Sequence, residues 1–104
     1  MPQLVTVLEG QVESDRVPDL QRAYADAASG PFPPGLIRSL LLQDRREPTR
    51  WRMESLWTSP EALAALRDIP GEPRGVKIFE AAGVTPELRV FQVAADFAVP
   101  TTTP

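Results

Sequence analysis

The run Gly30-Pro31-Phe32-Pro33-Pro34-Gly35 admits neither a helix nor a paired strand. Its prolines carry no amide hydrogen and push each preceding residue out of the helical region, so the chain must turn there. The residues before it divide into two patterns. Leu4–Val12 is β-branched and apolar with polar interruptions, which predicts a strand. Ser14–Ser29 places Val17, Leu20, Tyr24 and Ala27 at spacings of three and four, which predicts a helix with one apolar face and with Asp19, Arg22 and Asp26 turned away. Pro18 suits the first turn of that helix, where a missing amide hydrogen costs nothing.

After the proline loop, Leu36–Gln43 and Arg50–Trp57 read as two strands joined by the polar segment Asp44–Thr49. Thr58 and Ser59 offer caps for a second helix, with Glu61 placed for a capping box with Thr58. That helix is expected to run to about Ile69 and to end at Pro70-Gly71-Glu72-Pro73. Val76–Ala82 predicts further helical turns, Gly83 a left-handed stop and Leu88–Phe97 the last strand. The resulting β-α-β-β-α-β order is the ferredoxin-like arrangement, an α+β fold with a four-stranded antiparallel sheet and two helices on one face. At 104 residues the chain suits one domain, since domains typically run ~100 to 150 residues. We expect that domain over residues 1–98, with residues 99–104 as a flexible tail.

Alternation sends Trp51, Met53, Ser55 and Trp57 of the third strand to one face, and Arg52, Glu54 and Leu56 to the other. In the last strand Leu88, Val90 and Ala94 share a face with Gln92, and Phe91, Val93, Ala95 and Phe97 share the opposite face with Arg89. Two short helices cover one face only. A second identical chain is the simplest cover for the other, which predicts a homodimer through the sheet face and a dimeric α+β barrel, the alternative being a monomer with one half-polar open face.

The chain has no cysteine and no histidine. This excludes a disulfide, the usual zinc sites, a thiol nucleophile and an imidazole base. A net charge of -3 argues against nucleic acid as a partner. The cluster Arg45, Arg46, Arg50 and Arg52, diluted by Asp44, Glu47 and Glu54, reads as a solvated hairpin tip rather than an anion site. The apolar runs are far shorter than the ~18 residues of a membrane span. With no membrane partner and nothing at Met1–Gly10 resembling a signal peptide, the expected compartment is the cytoplasm.

The stretch Met53-Glu54-Ser55-Leu56-Trp57-Thr58-Ser59-Pro60-Glu61-Ala62-Leu63 resembles the antibiotic biosynthesis monooxygenase family of dimeric α+β barrels, in which the third strand ends with an acidic residue, two positions and a tryptophan before a capped helix. Lys77-Ile78-Phe79-Glu80-Ala81-Ala82-Gly83-Val84-Thr85-Pro86-Glu87 is similar to that family's final helix and glycine turn. The resemblance extends from about Leu4 to Phe97. It implies a pocket between helices and sheet in which relatives oxidise aromatic polyketides or quinols with molecular oxygen and no cofactor, or degrade haem. The haem branch uses a histidine ligand, and this chain has none. The polyketide branch uses an asparagine near the tryptophan. No asparagine occurs here, and Met53 stands four residues before Trp57.

Under that resemblance the expected catalytic residues are Trp57, Tyr24 and Arg38. The expected substrate-binding residues are Trp57, Phe32, Met53, Ser55 and Phe79, and no metal is expected. Stabilising a substrate anion falls to Arg, Lys, Tyr, Ser, Thr or backbone N–H groups, with Arg38, Ser55, Arg74 and Lys77 as candidates. A one-residue register change would move Arg38 to the other face. Glu9 is a candidate base if burial raises its pKa. Each residue also has a packing role open to it: Trp57 sealing the second helix on the sheet, Tyr24, Phe32 and Phe79 as core. Three functions stay open: a cofactor-independent monooxygenase acting on a small apolar aromatic molecule, a non-catalytic ligand-binding or interaction barrel, and a polyketide cyclase or isomerase without oxygen chemistry.

Overall fold

The computed structural model describes residues 2–66 and 74–101. Strand β1 spans Leu4–Gln11, helix α1 Val17–Ala28, strand β2 Leu36–Gln43, strand β3 Arg50–Trp57, helix α2 Pro60–Leu66, helix α3 Arg74–Glu80 and strand β4 Glu87–Gln92. The expected helix end at Pro70-Gly71-Glu72-Pro73 lies outside the described residues. The strands form one antiparallel sheet in the order β2-β3-β1-β4, and the sheet is open. This is the expected ferredoxin-like α+β fold.

Local chemistry accounts for the boundaries. A 3-10 turn, Ser14–Arg16, leads into α1, with Pro18 in the first helical turn. The Arg16 side chain bonds Asp19 Oδ2 at 2.8 Å and donates from Nη2 to the Ala81 carbonyl at 2.9 Å. That second bond satisfies a carbonyl left without a partner just past the end of α3 and ties the two helices together. Ser59 caps α2 by accepting the Ala62 amide at 3.2 Å, so the cap falls to this hydroxyl. Gly83 has a φ of 79° and supplies the left-handed stop after α3. In the β2–β3 turn the Asp44 carboxylate accepts the amides of Arg46 and Glu47 at 2.7 and 3.0 Å, an aspartate turn of the kind such side chains favour.

The last strand ends earlier than Phe97. Leu4 pairs with Gln92, and the Val93 amide still reaches the Gln3 carbonyl at 2.9 Å. Beyond that point β1 has run out, and no strand among the described residues continues the pairing. Phe97 and Val99 are 89% and 78% exposed.

Cross-strand partners share a face, so the register sorts every side chain. One face carries Leu4, Thr6, Leu8 and Gly10 with Trp51, Met53, Ser55 and Trp57, and extends to Ser39 and Leu41 on β2 and Leu88 and Val90 on β4. The helices pack on this face, where Leu8, Val12, Leu20, Trp51, Ile78, Phe79 and Ala82 form the core. Burying each large apolar side chain there contributes roughly 1.5–3 kcal/mol. The open face carries Val5, Val7, Glu9, Arg52, Glu54, Leu56, Leu40, Leu42, Arg89 and Phe91. Charges join the apolar residues there. Glu9 lies between Arg52 at 2.8 Å and Arg50 at 3.6 Å, and Arg52 also meets Glu54 at 3.4 Å.

Candidate functional site

The helix-covered face has a polar row across its middle. Register aligns Ser39 on β2, Ser55 on β3 and Thr6 on β1, neighbouring strands being ~4.8 Å apart. Two aromatic side chains close on its ends. Tyr24, one turn past Leu20 on α1, donates its hydroxyl hydrogen to Ser39 Oγ at 3.0 Å. Trp57 donates its indole N–H to Thr6 Oγ1 at 3.0 Å. Ser39 and Thr6 accept these bonds, so each keeps its own hydroxyl proton to donate. Ser55, between them, is the buried polar side chain among the described residues. Tyr24 and Ser55 were legible from sequence. Thr6 and Ser39 were not, because only the register places them beside β3.

The paired positions of this face, from Leu4 to Trp57 and out to Val90, hold no charged side chain. Arg38 pairs with Leu56 after a register irregularity between Leu36 and Arg38. It therefore projects from the open face, opposite Trp57, and the two are not brought together. Glu9 also lies on the open face, ion-paired to both Arg50 and Arg52, so the carboxylate that sequence offered as a base points away from the row.

The remaining sequence-predicted residues separate. Trp57 is buried and pairs with Leu4. Phe79 is fully buried against Gly10, where an added Cβ would lie 3.6 Å from its ring. Leu4 and Gly10 are six positions apart on β1, roughly 20 Å at ~3.4 Å per residue, so Phe79 and Trp57 do not line one cavity. Met53 lies between, against Leu8 and the backbone of Gly75. Phe32 is 62% exposed in the proline loop. Arg74 donates to the Pro31 carbonyl and so ties α3 to that loop.

Among the described residues, shallow clefts lie at two places on the surface. One, of about 250 Å³, is lined by Glu9, Leu42, Gln43, Asp44, Arg50 and Arg52 at the hairpin end of the open face. The other, of about 310 Å³, lies between α1 and α3 and is lined by Ala23, Asp26, Ala27, Arg74, Lys77 and Ile78. Neither touches Trp57. Asp44 has its carboxyl pKa lowered from 3.8, first by the Glu47 amide and then by the Arg46 amide, both of which favour the ionised form. No cluster of metal-ligating side chains occurs among the described residues, and no helix among them is long and apolar enough to cross a membrane.

No protein-family model matches the chain, and no curated protein matches it in sequence. Solved structures match its fold. A haem-degrading protein from Mycobacterium tuberculosis gives a TM-score of 0.70 at 23% identity, over 94% of this chain and 98% of that one. A mutant of SnoaB, a cofactor-independent oxygenase from Streptomyces nogalater, gives 0.69 at 23% identity over 95% and 98%. A protein from Deinococcus radiodurans assigned as an antibiotic biosynthesis monooxygenase gives 0.63 at 16% identity over 99% and 100%. At these identities the likeness is one of fold.

Proposed function

We propose that this chain, which shares the fold of the antibiotic biosynthesis monooxygenases, is a homodimeric barrel that oxidises a small, flat aromatic molecule with molecular oxygen and no cofactor. The observation carrying this reading is the hydroxyl row between Tyr24 and Trp57 on the helix-covered face. A planar substrate would lie over that row beside the Trp57 ring, whose face adds ~0.5–1.5 kcal/mol to stacking beyond area burial. Its oxygen would accept the hydroxyl protons that Ser39 and Thr6 keep free. Those donors stabilise a phenolate or enolate as charge develops.

Among the described residues the paired positions of this face supply no carboxylate, and the chain has no histidine. The acidity must then belong to the substrate, which favours an anthrone or a hydroquinone over an unactivated arene. Oxygen uptake with anthrone and with hydroquinone tests this, with Trp57→Phe and Ser39→Ala expected to lower the rate.

The dimer is part of the same reading. Leu40, Leu42 and Phe91 are 39%, 38% and 51% exposed on the open face, an apolar surface that a second copy would cover. Sizing chromatography should give twice the 11.4 kDa chain mass, and Phe91→Asp should shift it to the monomer.

A second reading, a barrel that binds such a molecule without turning it over, is favoured by two observations. The Trp57 N–H is already satisfied by Thr6, and the paired positions of the helix-covered face carry no charged side chain among the described residues that could take up a proton. Saturable binding of anthrone with no oxygen uptake would establish it.

A further inference from the structure

We infer that the cleft between α1 and α3 is a binding site for a small aromatic monocarboxylate, separate from the Trp57 face and independent of the function proposed for it. It is a shallow depression of about 310 Å³, open to solvent along one side, so a ligand would lie against it rather than be enclosed. The floor is apolar. Ile78 is buried, and Ala23 and Ala27 lie half-buried one helical turn apart on α1, so no long side chain obstructs a flat ring.

The rim is charged and unevenly matched. Arg74, the first residue of α3, and Lys77, three positions on and in its last turn, lie on one side of that helix, and Asp26 faces them from α1. No ion pair joins Asp26 to either cation among the described residues. The Arg74 guanidinium is held by the Pro31 carbonyl, a neutral acceptor, and makes no ion pair among the described residues. Lys77 has no ion-pair partner among the described residues and is exposed. Among the described lining residues two cations face one carboxylate, a net positive charge over an apolar floor.

That balance selects the ligand class. A monoanion with a flat apolar body meets both the floor and the net charge. A polyphosphate would press against Asp26, and an aromatic ammonium would meet Arg74 and Lys77. A bare anion would gain nothing from Ala23, Ala27 and Ile78.

Amide NMR of the uniformly labelled full chain, titrated with 2-naphthoate, 2-naphthylmethylammonium and inorganic phosphate, tests the site. Saturable shifts are expected at Ala23, Ala27, Lys77 and Ile78 with 2-naphthoate, and none with the other two probes. Lys77→Gln should weaken 2-naphthoate about two- to fivefold, the range of an exposed charge pair, and Lys77→Glu should weaken it further. Asp26→Asn should tighten it about twofold by the same scale. These exposed substitutions leave the core intact, which the dispersion of each variant's spectrum verifies. Shifts confined to Thr6, Ser39 and Ser55, equal binding of the ammonium, or a Lys77→Gln titration identical to that of the parent chain would each overturn the proposal.

Discussion

Thr6→Val removes one hydroxyl from the centre of the sheet and little else in shape. In the native chain Thr6 Oγ1 accepts the Trp57 indole N–H at 3.0 Å, and Trp57 is only 6% exposed. Valine leaves that N–H buried without an acceptor, at about 1–3 kcal/mol. The higher strand preference of valine recovers a few tenths of this, so a net loss of about 1–2 kcal/mol is expected. Each kcal/mol lowers the melting temperature by about 4–8 °C for a domain of this size. Trp51 already shows the state the substitution creates, since its indole nitrogen is buried with no partner among the described residues. Urea unfolding of Thr6→Val, Trp57→Phe and the double variant, run at two protein concentrations so that any change in self-association shows as a concentration dependence, closes a cycle. A coupling of about 1 kcal/mol is expected. A coupling within about 0.5 kcal/mol of zero, or a Thr6→Val variant as stable as the parent, would refute the claim that this bond anchors Trp57 to the hydroxyl row.

Gly35 has a φ of 87°, and an added Cβ would lie 2.4 Å from Ala62 Cβ on α2. Gly35→Ala therefore combines left-handed strain with a clash and should cost about 2 kcal/mol or more. Gly83→Ala, at φ 79° with a flexible arginine 3.0 Å away, should cost about 1 kcal/mol. Equal thermal shifts for the two would contradict this ordering. Asp44 has a carboxyl pKa lowered from 3.8 by the amides it accepts. Its stabilisation of the hairpin turn is thus fully present above 3.8 and is lost as pH falls through the lowered value. A carboxyl NMR titration should give a midpoint below 3.8, and Asp44→Ala should abolish the turn's acid sensitivity.

Much of the architecture was legible because it depends on local rules. Helix α1 followed from the spacing of Val17, Leu20, Tyr24 and Ala27, and the face carrying Trp51, Met53, Ser55 and Trp57 from simple alternation. The bounds of β2 and β3 followed from the turn residues between them. The last strand was misjudged at its end because Val93–Phe97 keeps strand-forming composition where β1 no longer offers partners. Arg38 falls on the open face because one irregularity beside Ile37 shifts the alternation beyond it. Alternation cannot locate such a slip, since both registers read equally well along one strand.

The sequence by itself determined the order of elements and the absence of thiol and imidazole chemistry. It also placed a tryptophan at the end of the third strand, since each of these is set by residue type or by near neighbours along the chain. The tertiary structure alone decided what surrounds that tryptophan. Thr6 and Ser39 lie far from Trp57 and Tyr24 in sequence and reach them only through strand pairing. Register likewise turned Glu9 and Arg38 to the open face and left the helix-covered face uncharged. Pairing across strands is a long-range choice, settled by which faces bury together, and it carries the chemistry of the site.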